Sequence, residues 1–197
     1  MTRLFNMNIG YPAQAAQSLE GSSLSLLQRL FGDRRPRAAL EPLYQAVVAV
    51  ARDPAWYLDG AVPDTLDGRF DMVAALTALV LIRFETEGEA GQSPGVLLTE
   101  VFVDDMDGTM RQIGVGDYVV GKHVGRMVGA LGGRLTAFRS AMAGEVAFDA
   151  PVRRNVFHEA PPSEAAVAFV AGRLARFADG LQALPLDALI AGQVPKL

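Results

Sequence analysis

An all-α fold is predicted by three features of the sequence. Apolar residues recur at steps of three and four through most of the chain, the period of a helix with one buried face. No segment sustains the period-two alternation of a half-buried strand, and no internal repeat on the order of 20 to 50 residues is visible. Glycine, proline and short polar residues fall where helices would begin and end. The expectation is a single compact helical domain of about six to eight helices over residues 24–197, with a long irregular loop before residue 67. A chain of 197 residues is long enough to bury a substantial core as one domain.

Residues 1–23 lack a basic stretch followed by an apolar one and end in Leu19-Glu20-Gly21-Ser22-Ser23, so a flexible tail or expression tag is expected there. A short helix follows at Leu24 to Phe31. From Arg37 to Arg52, the residues Leu40, Leu43, Tyr44, Val47 and Val50 share one side of a helix that Pro54 stops. The segment Ala55 to Asp67 reads as an ordered loop, because Trp56 and Tyr57 need burial while Gly60 and Pro63 refuse regular structure. Asp67 offers an N-cap for a helix running to Glu87, whose apolar run Met72 to Ile82 is too short to span a bilayer and ends at Arg83.

Ser93-Pro94 reads as the next helix start, with Leu97, Leu98, Val101 and Phe102 on its apolar face. Gly114 sits where that helix should end, since glycine reaches the left-handed conformation without a Cβ penalty. Asp117 then caps a helix that buries Val120, Val124, Met127, Val128 and Leu131 and continues past Gly132-Gly133 to Met142. Gly144 to Pro162 reads as irregular. Val167, Val170, Leu174, Phe177, Leu181 and Leu184 form a last stripe, too short for a coiled coil and suited to a neighbour within the chain.

The combination of Asp107, Arg111, Gly114-Val115-Gly116-Asp117 and Lys122 with the upstream run Val62-Pro63-Asp64-Thr65-Leu66-Asp67-Gly68-Arg69-Phe70-Asp71-Met72 resembles the ubiquinol-cytochrome c chaperone family. The resemblance runs from about Leu24 to the Arg134 to Phe138 region and is densest in these two motifs. Met110 stands where a leucine is expected, and Gln112 replaces an acid. The resemblance implies a non-enzymatic assembly factor that binds newly synthesised cytochrome b on its way into respiratory complex III. It implies hinge and contact roles for Asp107, Arg111, Gly114, Gly116, Asp117 and Lys122, and motif positions at Asp64, Asp67, Arg69 and Asp71. The ribosome surface or a small co-chaperone are further implied partners, at a cytoplasmic location with peripheral contact to the inner face of the membrane.

The residues themselves carry little catalytic equipment. With no cysteine there is no thiolate nucleophile and no cysteine-ligated metal, and two histidines, His123 and His158, cannot build a three-imidazole zinc site. Gly91-Gln92-Ser93-Pro94-Gly95 matches the nucleophile-elbow pattern, but Pro94 lacks the amide that an oxyanion hole there requires. Asp104, Asp105 and Asp107 suggest a divalent metal, yet in EF-hand register Val103 and Gly114 fall at ligand positions. A small metal-dependent enzyme using those acids is one alternative; a dimeric regulatory protein using the Val167 to Leu184 stripe is another. No cofactor is expected.

Charge is distributed unevenly. Seven acids and no bases lie between Phe84 and Gly108, whereas Arg111, Lys122, Arg126, Arg134, Arg139, Arg153 and Arg154 dominate the stretch after Met110. That half suits either an anionic surface or mixed solvated helices, while the net charge of -4 argues against a specific nucleic-acid binder. Gly121, Gly125, Gly129 and Gly133 recur at steps of four along one helical face. Together they cost on the order of 3 kcal/mol against alanine, which close approach of another helix would offset. The partner is either a helix of this chain or a client's transmembrane helix, with Met106, Met110 and Met127 as adaptable apolar contacts.

Overall fold

The computed structural model describes residues 35–112, 117–158, 160 and 162–197, with backbone alone at 35–36, 110–112 and 117–124. The expected tail at 1–23, the expected helix at 24–31, and Gly114 and Gly116 of the hinge lie outside the described residues. The helices are α1 (Arg35–Ala38), α2 (Glu41–Ala51), α3 (Ala55–Leu58), α4 (Leu66–Glu85), α5 (Glu89–Gln112), α6 (Asp117–Met142), α7 (Asp149–Asn155), α8 (Glu164–Gln182) and α9 (Leu186–Ile190). No strand occurs among the described residues.

The apolar run that begins at Met72 makes α4 the axis of the fold. Every residue of α4 from Asp71 to Phe84 is buried, as expected of a helix apolar all round. Helices α2, α5, α6 and α8 pack around it, and α7 joins α6 to α8. Each contributes a stripe: Leu43, Tyr44 and Val47 from α2, Leu98 and Phe102 from α5, Met127, Leu131 and Phe138 from α6, and Val167, Val170, Leu174, Phe177 and Leu181 from α8. The α8 stripe is therefore spent inside the chain and offers no apolar face for a dimer. Arg83, which ends the α4 run, donates to the carbonyls of Leu181 and Leu184 at 3.0 and 3.1 Å, the site where a cation meets the negative end of α8.

Several boundaries differ from the sequence expectation. Residues 37–52 form two helices, because α2 restarts at Glu41-Pro42, with proline in the first turn. The expected loop after Pro54 contains a helical turn, α3, which puts the Trp56 ring at 0 % exposure. α5 begins at Glu89 and not at Ser93-Pro94; Gly88 takes φ 61° in the turn, and Pro94 forfeits one backbone bond near the start of a 24-residue helix. Gly144 to Pro162 is not wholly irregular, since α7 forms within it. Val128 is 43 % exposed and does not join the core.

Candidate functional site

The upstream motif is a strand-free loop clamped onto the first turn of α4. Thr65, not Asp67, is the cap: its hydroxyl accepts from the Gly68 amide at 3.1 Å. Threonine wins because its extended backbone precedes the first helical residue, whereas Asp67 already lies within the helix. Gly68 is required by contact, since a Cβ there would overlap the Pro63 carbonyl. Asp64 and Arg69 form an ion pair of 2.6 Å on the surface.

Asp71, the last acid of the motif, points inward. Its carboxylate pairs with the Arg134 guanidinium from α6 and accepts the reach of His158 Nε2 at 2.7 Å from the end of α7. Arg134 also donates to the Asn155 carbonyl at 3.0 Å and to the Ala130 carbonyl at 3.1 Å, and lies 5.6 Å from the Phe70 ring centroid. The Asp71 and Arg134 side chains are 4 % and 6 % exposed, whereas His158 is open to solvent and holds a left-handed backbone at φ 50°. Burial raises the Asp71 carboxyl above the usual range, with Arg134 and His158 pulling against it. Burial likewise lowers Arg134, with Asp71 opposing it. This network ties α4, α6 and α7 together at one end of the bundle.

The acidic cluster does not converge. Asp104 pairs with Arg37 Nη1 at 2.7 Å, while Glu100 takes the Arg37 Nε at 2.7 Å. Asp105 accepts from the buried Tyr44 hydroxyl at 2.7 Å, and burial, followed by that bond, pushes the phenol well above its usual range. Asp107 is half-buried with Oδ1 shielded from water. No group of three potential ligands is placed to hold a metal among the described residues. Glu100, Asp104 and Asp105 brace α1 and α2 against α5, so two of the three acids of the metal-enzyme alternative are engaged by Arg37 and Tyr44. Ser93 lies within helix α5, with no strand before it among the described residues, so the elbow geometry is missing too.

On α6 the described glycines of the ridge face outward. A Cβ at Gly125, Gly129 or Gly133 would meet no described atom within 4 Å, and the same holds at Gly132. No described helix covers this face at Gly125 and Gly129, while at its far end Arg154 of α7 donates to the Gly133 carbonyl at 3.1 Å. Thr136, Ala137 and Ser140 extend it into a shallow recess of about 370 Å³ against Val146, Ala150, Pro151 and Arg154. From Gly125 to Ser140 the smooth face is about 22 Å long. Met106 and Met127 do not border it; both are buried in the core. The side chains of Met110, Arg111, Asp117, Lys122 and His123, with the surroundings of Gly121, lie outside the described residues.

Comparison with known protein families matches residues 58–196 to the description "Ubiquinol-cytochrome C chaperone". The chain belongs to the ubiquinol-cytochrome c chaperone family. Among solved structures, it is similar to the crystal structure of the Cbp3 homolog from Brucella abortus, at 26% identity and a TM-score of 0.71, covering 88% of this chain and 96% of that one. Comparison with curated proteins gives no significant match. The family match takes in the C-terminal third, where no motif was legible, and begins after residues 24–57, where the resemblance was expected to start.

A chaperone family implies binding of a client rather than catalysis. The clusters around Asp71 and Arg37 brace helices against one another. Three arginines of the basic stretch after Met110 are held in ion pairs: Arg134 with Asp71, Arg139 bidentately with Glu85 at 3.0 and 2.7 Å, and Arg153 with Glu164 and Asp149. Sequence reading missed Arg134 and His158 as the partners of Asp71, and the Asn155 carbonyl as a further partner of Arg134. The 63 and 87 residues that separate Arg134 and His158 from Asp71 leave no local signal. No described helix is long and apolar enough to cross a membrane.

Proposed function

We propose that this chain binds newly synthesised cytochrome b and assists its maturation into respiratory complex III. The family match over residues 58–196 carries this reading. The glycine face of α6 is the proposed client surface. It is open at Gly125, Gly129 and Gly133, it is smooth, and its cost in helix propensity is not offset by any described helix of the chain. A transmembrane segment of the client suits such a face, since close backbone approach supplies the packing that lipid-exposed helices obtain from small residues.

The hinge positions Asp107, Arg111, Gly114, Gly116, Asp117 and Lys122 are assigned to the same task, as the geometry and polar border of the α5 to α6 turn. Work at the cytoplasmic side of the membrane, alone or with a small co-chaperone near the ribosome, follows from the same reading. Pull-down of the tagged chain from cells making pulse-labelled cytochrome b tests it. Labelled cytochrome b should be retained by the wild-type chain and lost when Gly125 and Gly129 are both replaced by leucine. Absence of the label with the wild-type chain would remove the client, and retention by the leucine variant would remove the surface.

A further inference from the structure

The most exposed large apolar side chain of the described structure lies away from α6. Leu58, at the end of α3, is 80 % exposed, and Leu66 at the start of α4 is 48 % exposed. Leu58 is displayed by a rigid support. Trp56, two residues earlier, is fully buried and donates from Nε1 to the Val50 carbonyl at 2.8 Å. Tyr57 donates to the Ala51 carbonyl at 2.8 Å, and Asp53 accepts from the Ala55 amide at 2.9 Å while pairing with Arg173 at 2.6 Å. Arg173 in turn stacks 4.4 Å from the Trp56 ring centroid. Past Leu58, a Cβ at Gly60 would fall 2.6 Å from the Trp56 carbonyl, and Ala61 holds a left-handed φ of 49°. These internal contacts hold the loop with the Leu58 side chain exposed.

Beside Leu58 is a recess of about 300 Å³ lined by Arg52, Pro54, Tyr57, Asp64 and Arg69. Asp64 engages Arg69 through Nε, and the terminal nitrogens of that guanidinium have no partner among the described residues. The Arg52 side chain is exposed and forms no hydrogen bond or ion pair among the described residues. The lining is thus net positive on a chain of net charge -4. Apolar floor, exposed leucine and two arginines at the rim match a helical ligand with an apolar anchor one turn from a carboxylate.

We propose that this recess docks an acidic amphipathic segment of a partner protein, separate from the client face on α6. An anionic membrane fits less well, because a flat lipid surface would meet Asp59 and Asp67 outside the recess, whereas a single helix engages the recess lining, where Arg52 and Arg69 outnumber Asp64. The inference does not depend on cytochrome b being the client.

Selection from a displayed library of random peptides against the purified full chain tests it. Enriched peptides should carry Asp or Glu within one turn of Leu, Ile, Phe or Met. Their affinity should fall about tenfold or more for Leu58→Asp and for Arg52→Glu, and a lysine-for-acid peptide should regain binding to Arg52→Glu. Both positions are exposed, and circular dichroism melting verifies that each variant folds. Failure to enrich acidic peptides, binding unaffected by both variants, or loss of binding to vesicles of anionic lipid in the same variants would overturn the proposal.

Discussion

Replacing Arg134 by methionine should destabilise the fold more than any surface change. The side chain is 6 % exposed and its removal leaves the Asp71 carboxylate, 4 % exposed, facing only His158. Breaking one side of a buried pair costs about 3–5 kcal/mol. Loss of the Asn155 carbonyl contact and of the Phe70 ring contact belongs within that range, because the terms are not additive. His158 and the raised Asp71 carboxyl, which takes up a proton more readily, place the expected loss near about 3 kcal/mol. Against a total stability of about 5–15 kcal/mol, that is a large fraction. Urea unfolding at neutral pH, followed by far-ultraviolet circular dichroism, measures it. The double variant Asp71→Asn with Arg134→Met should recover part of the loss, and Arg69→Ala in the exposed pair with Asp64 should leave the midpoint unchanged within error. A loss under about 1 kcal/mol for Arg134→Met would refute the claim that this pair holds α4, α6 and α7 together.

Gly129→Ala should stabilise the chain by about 0.8–1 kcal/mol in the same assay, because the Cβ enters open space on an exposed helix; on the proposed client face, Gly129→Leu should reduce cytochrome b retention without loss of stability. Gly68→Ala should cost about 1–3 kcal/mol, since the new methyl group overlaps the Pro63 carbonyl and must push the loop from α4. The Ala55 amide, followed by Arg173, holds the Asp53 carboxyl below its usual value. Its contribution is therefore present above the unfolded value of about 4 and is lost as pH falls through the folded one. Asp53→Asn should be less stable at neutral pH and show a shallower loss of stability between about pH 4 and pH 2.

What the sequence revealed tracks how local each feature is. The apolar stripe of α8 and the buried run of α4 were legible because periodicity is a property of neighbouring residues. The cap of α4 was misplaced by two residues, since Thr65 and Asp67 both carry capping groups and only the loop geometry chooses between them. The start of α5 was misplaced because Pro94 is a strong start signal that one lost hydrogen bond does not enforce. At the site, Asp71 was visible as a motif position, but its burial and its partners Arg134 and His158 were set by tertiary packing. The acids Asp104 and Asp105 looked like a cluster along the chain, and the structure spends them on Arg37 and Tyr44. The glycine spacing on α6 was plain in sequence; that its described members face outward required the packing of every other helix.

The proposal that the chain is an assembly chaperone for cytochrome b is tested most directly by deleting the gene and measuring assembled complex III, alongside cytochrome b transcript. Assembled complex should be lost while the transcript persists, and the wild-type gene should restore it. Normal levels of assembled complex III in the deletion strain would contradict the proposal.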